Sequence, residues 1–185
     1  MVGVLALQGA FREHIISLEK LGVKAKEVRT LSDLSSIDSI ILPGGESTVQ
    51  GKLLRALNMM VPLKSMIEQG LPVLATCAGL ILLANKIDND ENTYLSTLPV
   101  SVKRNAYGRQ VSSFITTSNL GPLNAVEMIF IRAPYITNVE DVVEVLSMHD
   151  GKITGVRYKN QIGLSFHPEL SNDLRCHELF LKLTK

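Results

Sequence analysis

The first half of the chain alternates short apolar runs with longer segments whose apolar residues recur at helical spacing. The runs lack polar alternation, which is typical of parallel strands that helices cover on both faces. Segment 11–21 illustrates the helical pattern, with Phe11, Ile15 and Leu18 on one face and Gly22 as a C-terminal stop. The pattern predicts strands at 2–7, 23–28, 39–42 and 73–76, and helices at 11–21, 47–57, 62–69 and 78–85.

The second half changes to patterns typical of antiparallel strands. Tight-turn signals at Asp150-Gly151 and Lys159-Asn160 divide residues 145–166 into a predicted β-meander. The predicted fold is therefore α/β and three-layered, with a mostly parallel sheet, helices on both faces and antiparallel strands added late. Strands are predicted at 100–103, 111–116, 127–131 and 142–148, and the closing helix has an apolar stripe of Cys176, Leu179, Phe180 and Leu183.

Length and composition narrow the class of protein. The 185 residues form one predicted domain, 1–185, with 45% hydrophobic residues, 20% charged residues and a formal net charge of +1. This balance excludes a disordered chain and gives no reason to expect nucleic-acid or membrane-surface binding. The longest apolar stretch, 71–84, is too short to span a bilayer, and the N-terminus lacks a basic leader. Two cysteines cannot form a disulfide framework, so we expect a cytoplasmic protein.

The first candidate for chemistry is Cys77, which stands between a predicted strand and a predicted helix. Its neighbours Thr76, Ala78 and Gly79 are small enough for the sharp turn of a nucleophile elbow. The N-terminus of the following helix favours a thiolate, and its backbone amides can receive an oxyanion. A structural cysteine at a buried strand end is the alternative interpretation of this segment.

A second candidate is His167-Pro168-Glu169, directly after the apolar run 162–166. A thiol nucleophile needs a base, and the base needs a group that holds its tautomer. In an open α/β sheet, active sites form at the carboxyl ends of the strands, so His167 and Cys77 are expected at the same edge. A surface loop with a helix-capping glutamate is the alternative for this segment alone.

A third candidate is the glycine turn, defined here as Pro43-Gly44-Gly45-Glu46, which precedes Ser47 and the second predicted helix. Glycines in this place let backbone amides approach an anionic group. The spacing from Gly45 to Gly51 is one residue too long for a nucleotide-binding P-loop, and Leu53 stands where a magnesium ligand is needed. The turn is therefore either an oxyanion or carboxylate site, or simply a turn before a capped helix.

The remaining polar candidates carry weaker signals. Arg104 and Arg109 lie in a Gly-containing loop and Arg132 precedes Ala133-Pro134, so they could clamp a carboxylate, although solvated surface charge is more common. His177 is expected on an exposed face of the last helix. No Cys/His spacing fits a zinc site, so we expect no metal and no cofactor.

These motifs together resemble those of the class I (triad) glutamine amidotransferases, which have a flavodoxin-like fold. Within that family, the chain is most similar to the glutaminase subunits of pyridoxal 5′-phosphate synthase. The branch-specific elements are the Gln-Gly-x-x-Arg-Glu-His start and the Arg-Asn-x-x-Gly-Arg-Gln block. The resemblance rests on segments 3–14, 42–48, 76–79, 104–110, 131–134 and 167–170.

The resemblance implies hydrolysis of L-glutamine to glutamate and ammonia through a γ-glutamyl thioester. It implies that Cys77 is the nucleophile, that His167 is the acid–base group and that Glu169 orients His167. It implies an oxyanion hole made by the amides of Gly45 and Ala78. The implied glutamine-binding residues are Gly45, Glu46, Ser47, Arg104, Ile131 and Arg132.

The resemblance also implies a partner. Ammonia would pass to a separate (β/α)₈-barrel synthase subunit that makes pyridoxal 5′-phosphate, and docking would switch on the glutaminase. The residues implied at that interface are Gln8, Arg12, Glu13 and His14.

Two features depart from the family pattern, and two other functions stay open. Ala75 stands where the elbow commonly has glycine, and the segment Ser113-Phe114-Ile115 has an apolar residue where an acidic one is common. One alternative is another thiol hydrolase built on a cysteine elbow. The other is a non-catalytic regulatory subunit that keeps the fold and the partner surface.

Overall fold

The architecture is taken from a computed structural model that describes residues 1–104 and 113–184. Its helices are α1 (Phe11–Lys20), α2 (Ser47–Ala56), α3 (Met60–Glu68), α4 (Ala78–Leu83) and α5 (Arg175–Leu181). The strands of the first half are β1 (Val2–Leu5), β2 (Ala25–Val28), β3 (Ser39–Leu42), β4 (Val73–Thr76) and β5 (Ala84–Ile87). Those of the second half are β6 (Leu98–Lys103), β7 (Ser113–Leu120), β8 (Leu123–Ile131), β9 (Tyr135–Val139), β10 (Glu144–His149), β11 (Lys152–Tyr158) and β12 (Gln161–Leu164).

One mixed sheet forms the centre of the described chain. Along the sheet the strands run in the order β2-β1-β3-β4-β12-β11-β9-β6-β5, and β10 pairs with β11. The five strands from β2 to β12 are parallel, so their carboxyl ends meet at one edge. The strands β10, β11 and β12 form the expected antiparallel meander.

The sheet is covered on both sides, as the uninterrupted apolar runs predict. One apolar core packs side chains of α2, α3 and α4 against the sheet, with Leu54, Leu63 and Leu82 fully buried. The other core contains Leu18 of α1 and Phe180 of α5 together with residues of the β7–β8 hairpin. The predicted α/β class with a mostly parallel sheet between helices is confirmed.

Two strands differ from the sequence prediction. The helix predicted to reach residue 85 ends at Leu83, because Ala84 takes an extended ψ of 138° and begins β5. The strand β9 was not predicted, because Ile136 is its one buried residue and its apolar signal is weak. The strand predicted to begin at residue 111 is described only from Ser113 onward; residues 111 and 112 lie outside the described part of the chain.

Within residues 1–104 and 113–184, no helix is long and apolar enough to cross a bilayer.

Candidate active site

Two neighbouring parallel strands bring Cys77 and His167 to the same edge of the sheet. Strands β4 and β12 are in register, with Leu164 opposite Thr76. The Cys77 amide continues this ladder by donating a hydrogen bond to the Leu164 carbonyl over 2.8 Å. His167 follows β12 by three residues, and its amide donates to the Ile129 carbonyl of β8 over 2.8 Å. Both side chains line one cavity.

The backbone at Cys77 has the conformation of a nucleophile elbow. Its φ of 48° and ψ of −100° lie in a region that residues other than glycine rarely adopt. α4 begins at the next residue, Ala78, so the thiol stands at a helix N-terminus. A side chain at position 79 would collide with the Leu42 carbonyl, which explains the glycine there. The fold therefore holds the sulfur at the turn at a cost in backbone strain.

Glu169 orients the imidazole of His167 through the ring nitrogen Nδ1. Its Oε1 lies 2.8 Å from His167 Nδ1, and the carboxylate is almost fully buried. Burial acts to raise the pKa of Glu169, but interactions with His14 and His167 outweigh burial and lower it below its ordinary value. Glu169 is therefore ionised at neutral pH and fixes the proton on Nδ1, which leaves Nε2 for chemistry.

The neighbours of His167 favour the charged form of its ring. Burial acts to lower the pKa of His167, but interactions with Cys77 and Glu169 outweigh burial and raise it to about 10. The ring is therefore an imidazolium at neutral pH. A positive charge beside a cysteine favours nucleophilic attack by the sulfur, because the thiolate is the reactive form of a cysteine.

One backbone amide of the glycine turn is left without a hydrogen bond in the described part of the chain. The Gly44 amide donates to Thr76 Oγ1 over 3.0 Å, and the Glu46 amide donates to Gln8 Oε1 over 2.7 Å. Of these three consecutive amides, that of Gly45 makes no hydrogen bond to another described residue. Because Gly45 and Ala78 line the same cavity, their two amides can receive the oxygen of an attacked carbonyl.

The cavity has a volume of about 330 Å³ and contains charges of both signs. Arg132 Nη1 lies 3.8 Å from Glu46 Oε1, and both side chains are mostly exposed. Ile131 and Arg132 come from the end of the β7–β8 hairpin, and the Cys77 sulfur lies 4.0 Å from the Ile131 carbonyl oxygen. The cavity brings together Gly45, Glu46, Ser47, Cys77, Ala78, Arg104, Ile131, Arg132 and His167.

Arg104 is held by side chains that the sequence analysis did not single out. Its guanidinium lies 3.2 Å from Asp90 Oδ2 and donates to the Tyr94 hydroxyl over 3.1 Å. A third contact joins it to Thr48 Oγ1 at 3.4 Å. No local motif marks Asp90 or Tyr94, because their role depends on tertiary contacts. Segment 105–110, which includes Arg109, lies outside the described residues.

The predicted partner-interface residues occupy different environments. Gln8 lines the cavity and Arg12 is exposed on α1, with the partly buried Glu13 beside it. His14 is fully buried, so its side chain contributes no surface for a partner. The expectation that His177 lies on an exposed face is wrong, because His177 is also fully buried and contacts His14.

The two cysteines differ in their surroundings. Cys176 is buried in the apolar core beside α1, where burial raises its pKa to about 12. It is therefore a protonated core residue at neutral pH, as its place in the apolar stripe indicates. Among the described residues, no group of three or more His, Cys, Asp or Glu side chains could hold a metal ion.

Comparisons with known proteins identify close relatives over nearly the whole chain. A model of the SNO glutamine amidotransferase family matches residues 4–185. The pyridoxal 5′-phosphate synthase subunit PdxT of Desulfitobacterium hafniense is 60% identical over 181 residues, covering 97% of this chain and 91% of its own length. The protein of the same name from Bifidobacterium longum is 47% identical, covering 99% and 100%. A crystal structure described as a glutamine amidotransferase superposes with a TM-score of 0.95 at 43% identity, covering 99% of this chain and 98% of that one.

Proposed function

The chain belongs to the SNO glutamine amidotransferase family, and we propose that it is the glutaminase subunit of a pyridoxal 5′-phosphate synthase. In this proposal Cys77, His167 and Glu169 form the catalytic triad. The protein hydrolyses L-glutamine to L-glutamate and ammonia, and the ammonia passes to a partner synthase subunit.

The observation that carries the proposal is the Cys77–His167–Glu169 arrangement at one sheet edge. The 2.8 Å contact between Glu169 and His167, together with the raised pKa of His167, supports a thiolate–imidazolium pair. A non-catalytic subunit would have no need for a strained cysteine beside an oriented imidazole. This argues against the regulatory alternative.

The reaction follows from the charges of this pair. The Cys77 thiolate attacks the side-chain amide carbon of glutamine, and the amides of Gly45 and Ala78 stabilise the resulting oxyanion. The imidazolium of His167 then donates its Nε2 proton to the departing nitrogen, which leaves as ammonia. His167, now neutral, takes a proton from water as the water attacks the γ-glutamyl thioester. Glutamate leaves and the thiolate–imidazolium pair is restored.

The cavity supplies complements for both ends of glutamine. The α-carbon of glutamine carries an ammonium and a carboxylate. Glu46 provides a negative charge for the ammonium, and Arg132 provides a positive charge for the carboxylate. Their separation of 3.8 Å and their exposure leave both free to turn toward a substrate. We assign Ser47, Arg104 and Ile131 to the same binding site. Arg104 is fixed by Asp90 and Tyr94, so it provides a preformed positive charge.

The partner is inferred from the relatives, which are named as subunits of pyridoxal 5′-phosphate synthase. A (β/α)₈-barrel synthase subunit would dock at the start of α1, near Gln8, Arg12 and Glu13. Gln8 accepts a hydrogen bond from the glycine turn, so docking there can influence the oxyanion hole. Because both cysteines are free thiols, we infer that the reaction takes place in the reducing cytoplasm.

Glutamate release by wild-type protein and by Cys77→Ala tests the proposal. With the cognate synthase subunit present, the wild type should release glutamate, and Cys77→Ala should lose the activity while still binding the synthase subunit. If the protein hydrolysed other amides or esters but not glutamine, a different thiol hydrolase would be favoured. Substantial turnover by Cys77→Ala would show that another residue is the nucleophile.

A further inference from the structure

Two buried histidines that take no part in the proposed reaction lie behind the triad carboxylate. His14 Nε2 is 3.4 Å from Glu169 Oε2, the oxygen that His167 does not use. His14 Nδ1 is 2.9 Å from His177 Nε2. Both rings are fully buried, and Glu169 Oε2 makes no hydrogen bond to another described residue. The Nε2 atom of His14 is thus a polar neighbour of the unpaired carboxylate oxygen.

The protonation of the two rings can be assigned from their surroundings. Burial is the main cause that lowers the pKa of His14, and burial followed by the proximity of His14 lowers that of His177 to about 3. Both rings are therefore neutral at pH 7, and each carries a single N–H.

One arrangement of the two protons avoids both a buried N–H without an acceptor and a lone pair facing the carboxylate. A proton on His14 Nδ1 would turn the bare Nε2 lone pair toward the Glu169 carboxylate, and it would leave His177 with a buried N–H at Nδ1, an atom with no partner among the described residues. Protons on both Nε2 atoms avoid these costs. His177 then donates to His14 Nδ1, and the His14 N–H faces Thr76 and Glu169.

Thr76 connects the same imidazole to the glycine turn. Its Oγ1 lies 3.3 Å from His14 Nε2 and accepts the Gly44 amide hydrogen bond over 3.0 Å. A hydroxyl oxygen has two lone pairs and can accept both N–H groups. His14 therefore lies between the two halves of the active site, the triad on one side and the oxyanion turn on the other.

We propose that His14 is a positioning residue whose Nε2–H holds Glu169 and, through Thr76, the turn that carries the Gly45 amide. The proposal rests on the glutaminase function and deepens it by assigning a second support to the triad. His14 does not line the cavity, so it acts through other residues and not on glutamine itself.

The position of His14 on α1 also suggests how a partner can influence the triad. Arg12 is exposed two residues earlier on the same helix, whereas His14 faces the interior. A partner that contacts the exposed face of α1 and shifts this short helix would therefore move His14 relative to Glu169 and Thr76. His14 couples the two faces of that helix.

Two substitutions of His14 distinguish the effect of its N–H donor from the effect of its side-chain volume. His14→Leu fills the space without a donor, and His14→Gln keeps an N–H at about the distance of Nε2. Glutamate release is measured with saturating cognate synthase subunit, and docking is measured separately by analytical ultracentrifugation. We expect His14→Leu to lower kcat by at least about tenfold, part of the 10²–10⁴-fold that a positioned acid–base group contributes. Its KM should stay nearly unchanged, and His14→Gln should restore most of kcat.

Leu18→Ala is the matched control, because Leu18 is a buried core residue of the same helix. It should lower the stability of the protein but keep kcat. Wild-type kcat in His14→Leu, or an equal loss in Leu18→Ala, would overturn the role of His14. An inactive wild type would instead refute the proposed glutaminase function.

Nitrogen NMR of the wild-type protein tests the same assignment without any substitution. The ring of His14 should be neutral with its proton on Nε2. A neutral ring protonated on Nδ1, or a charged ring at pH 7, would contradict the arrangement on which the proposal depends.

Discussion

Cys77 and Cys176 are both buried thiols, but their surroundings give them opposite chemistry. Cys77 stands at a helix N-terminus beside an imidazolium and lines an open cavity. Cys176 lies in the apolar core, where burial raises its pKa to about 12. Reactivity therefore follows from position in the fold, because both residues begin as the same side chain with the same intrinsic acidity.

This contrast predicts selective labelling by a diazoketone that mimics glutamine. The reagent should form a covalent adduct on Cys77 and spare Cys176, because the cavity binds the glutamine-like part next to the thiolate. Peptide mapping by mass spectrometry locates the adduct. Cys176→Ala should be labelled like the wild type, and a label on Cys176 would refute the assignment of the nucleophile.

The pKa of His167 provides a second prediction at the scale of single residues. In the wild type the ring should stay protonated through neutral pH, with its pKa near 10. Cys77→Ala removes one of the interactions that raise this pKa while burial continues to lower it, so the pKa should fall. Glu169→Gln should lower it as well. NMR titration of the His167 ring measures the change; a wild-type midpoint near 6.5, or no response to either substitution, would contradict the ion pair.

At the scale of elements, the site is assembled from turns that follow strands. The turn after β3 carries Gly45, the elbow after β4 carries Cys77, and the loop after β12 carries His167. Because these three strands are parallel neighbours in the sheet, their ends converge without any long connecting loop. The order of the strands thus determines which distant residues meet.

The close approach of two of these turns leads to a prediction about Gly44. A Cβ at this position would overlap the His167 ring, so Gly44→Ala should displace the imidazole and lower kcat/KM for glutamine by at least about tenfold. Gly151→Ala is a control, because its Cβ would meet no atom within 4 Å and its φ of 72° costs about 1 kcal/mol with alanine. Steady-state assays and urea unfolding compare the two. Equal activity in both variants would contradict the packing of the turn against the ring.

The elements that the sequence did not predict have weak or ambiguous patterns. The buried residues Ala84 and Ile87 of β5 are three positions apart, which also fits one more turn of the preceding helix. The sequence predicted the strand, turn and helix around Cys77 and around the glycine turn, because these patterns depend only on neighbouring residues. His177 was misplaced because a polar residue on a short helix normally faces solvent, and its partner His14 lies 163 positions away. Contacts of this kind depend on the complete fold.

At the scale of the whole molecule, the active-site edge and α1 form one connected structure. The loop before α1 contacts the glycine turn through Gln8, and the Ala10 amide donates to the Gly44 carbonyl over 3.0 Å. Further along the helix, His14 contacts Glu169. A partner that docked at α1, as we propose, would therefore affect both the proposed oxyanion hole and the proposed triad. Such coupling would prevent waste of glutamine when no acceptor for ammonia is present.

Transfer of isotope from glutamine to pyridoxal 5′-phosphate tests the central claim most directly. The protein and its cognate synthase subunit are supplied with pentose and triose phosphates, glutamine labelled with ¹⁵N at the side-chain amide, and unlabelled ammonium at low concentration. Mass spectrometry should find ¹⁵N in the product made with wild-type protein and almost none with Cys77→Ala. Product that contains only unlabelled nitrogen with the wild type, or equal ¹⁵N with both proteins, would contradict the account.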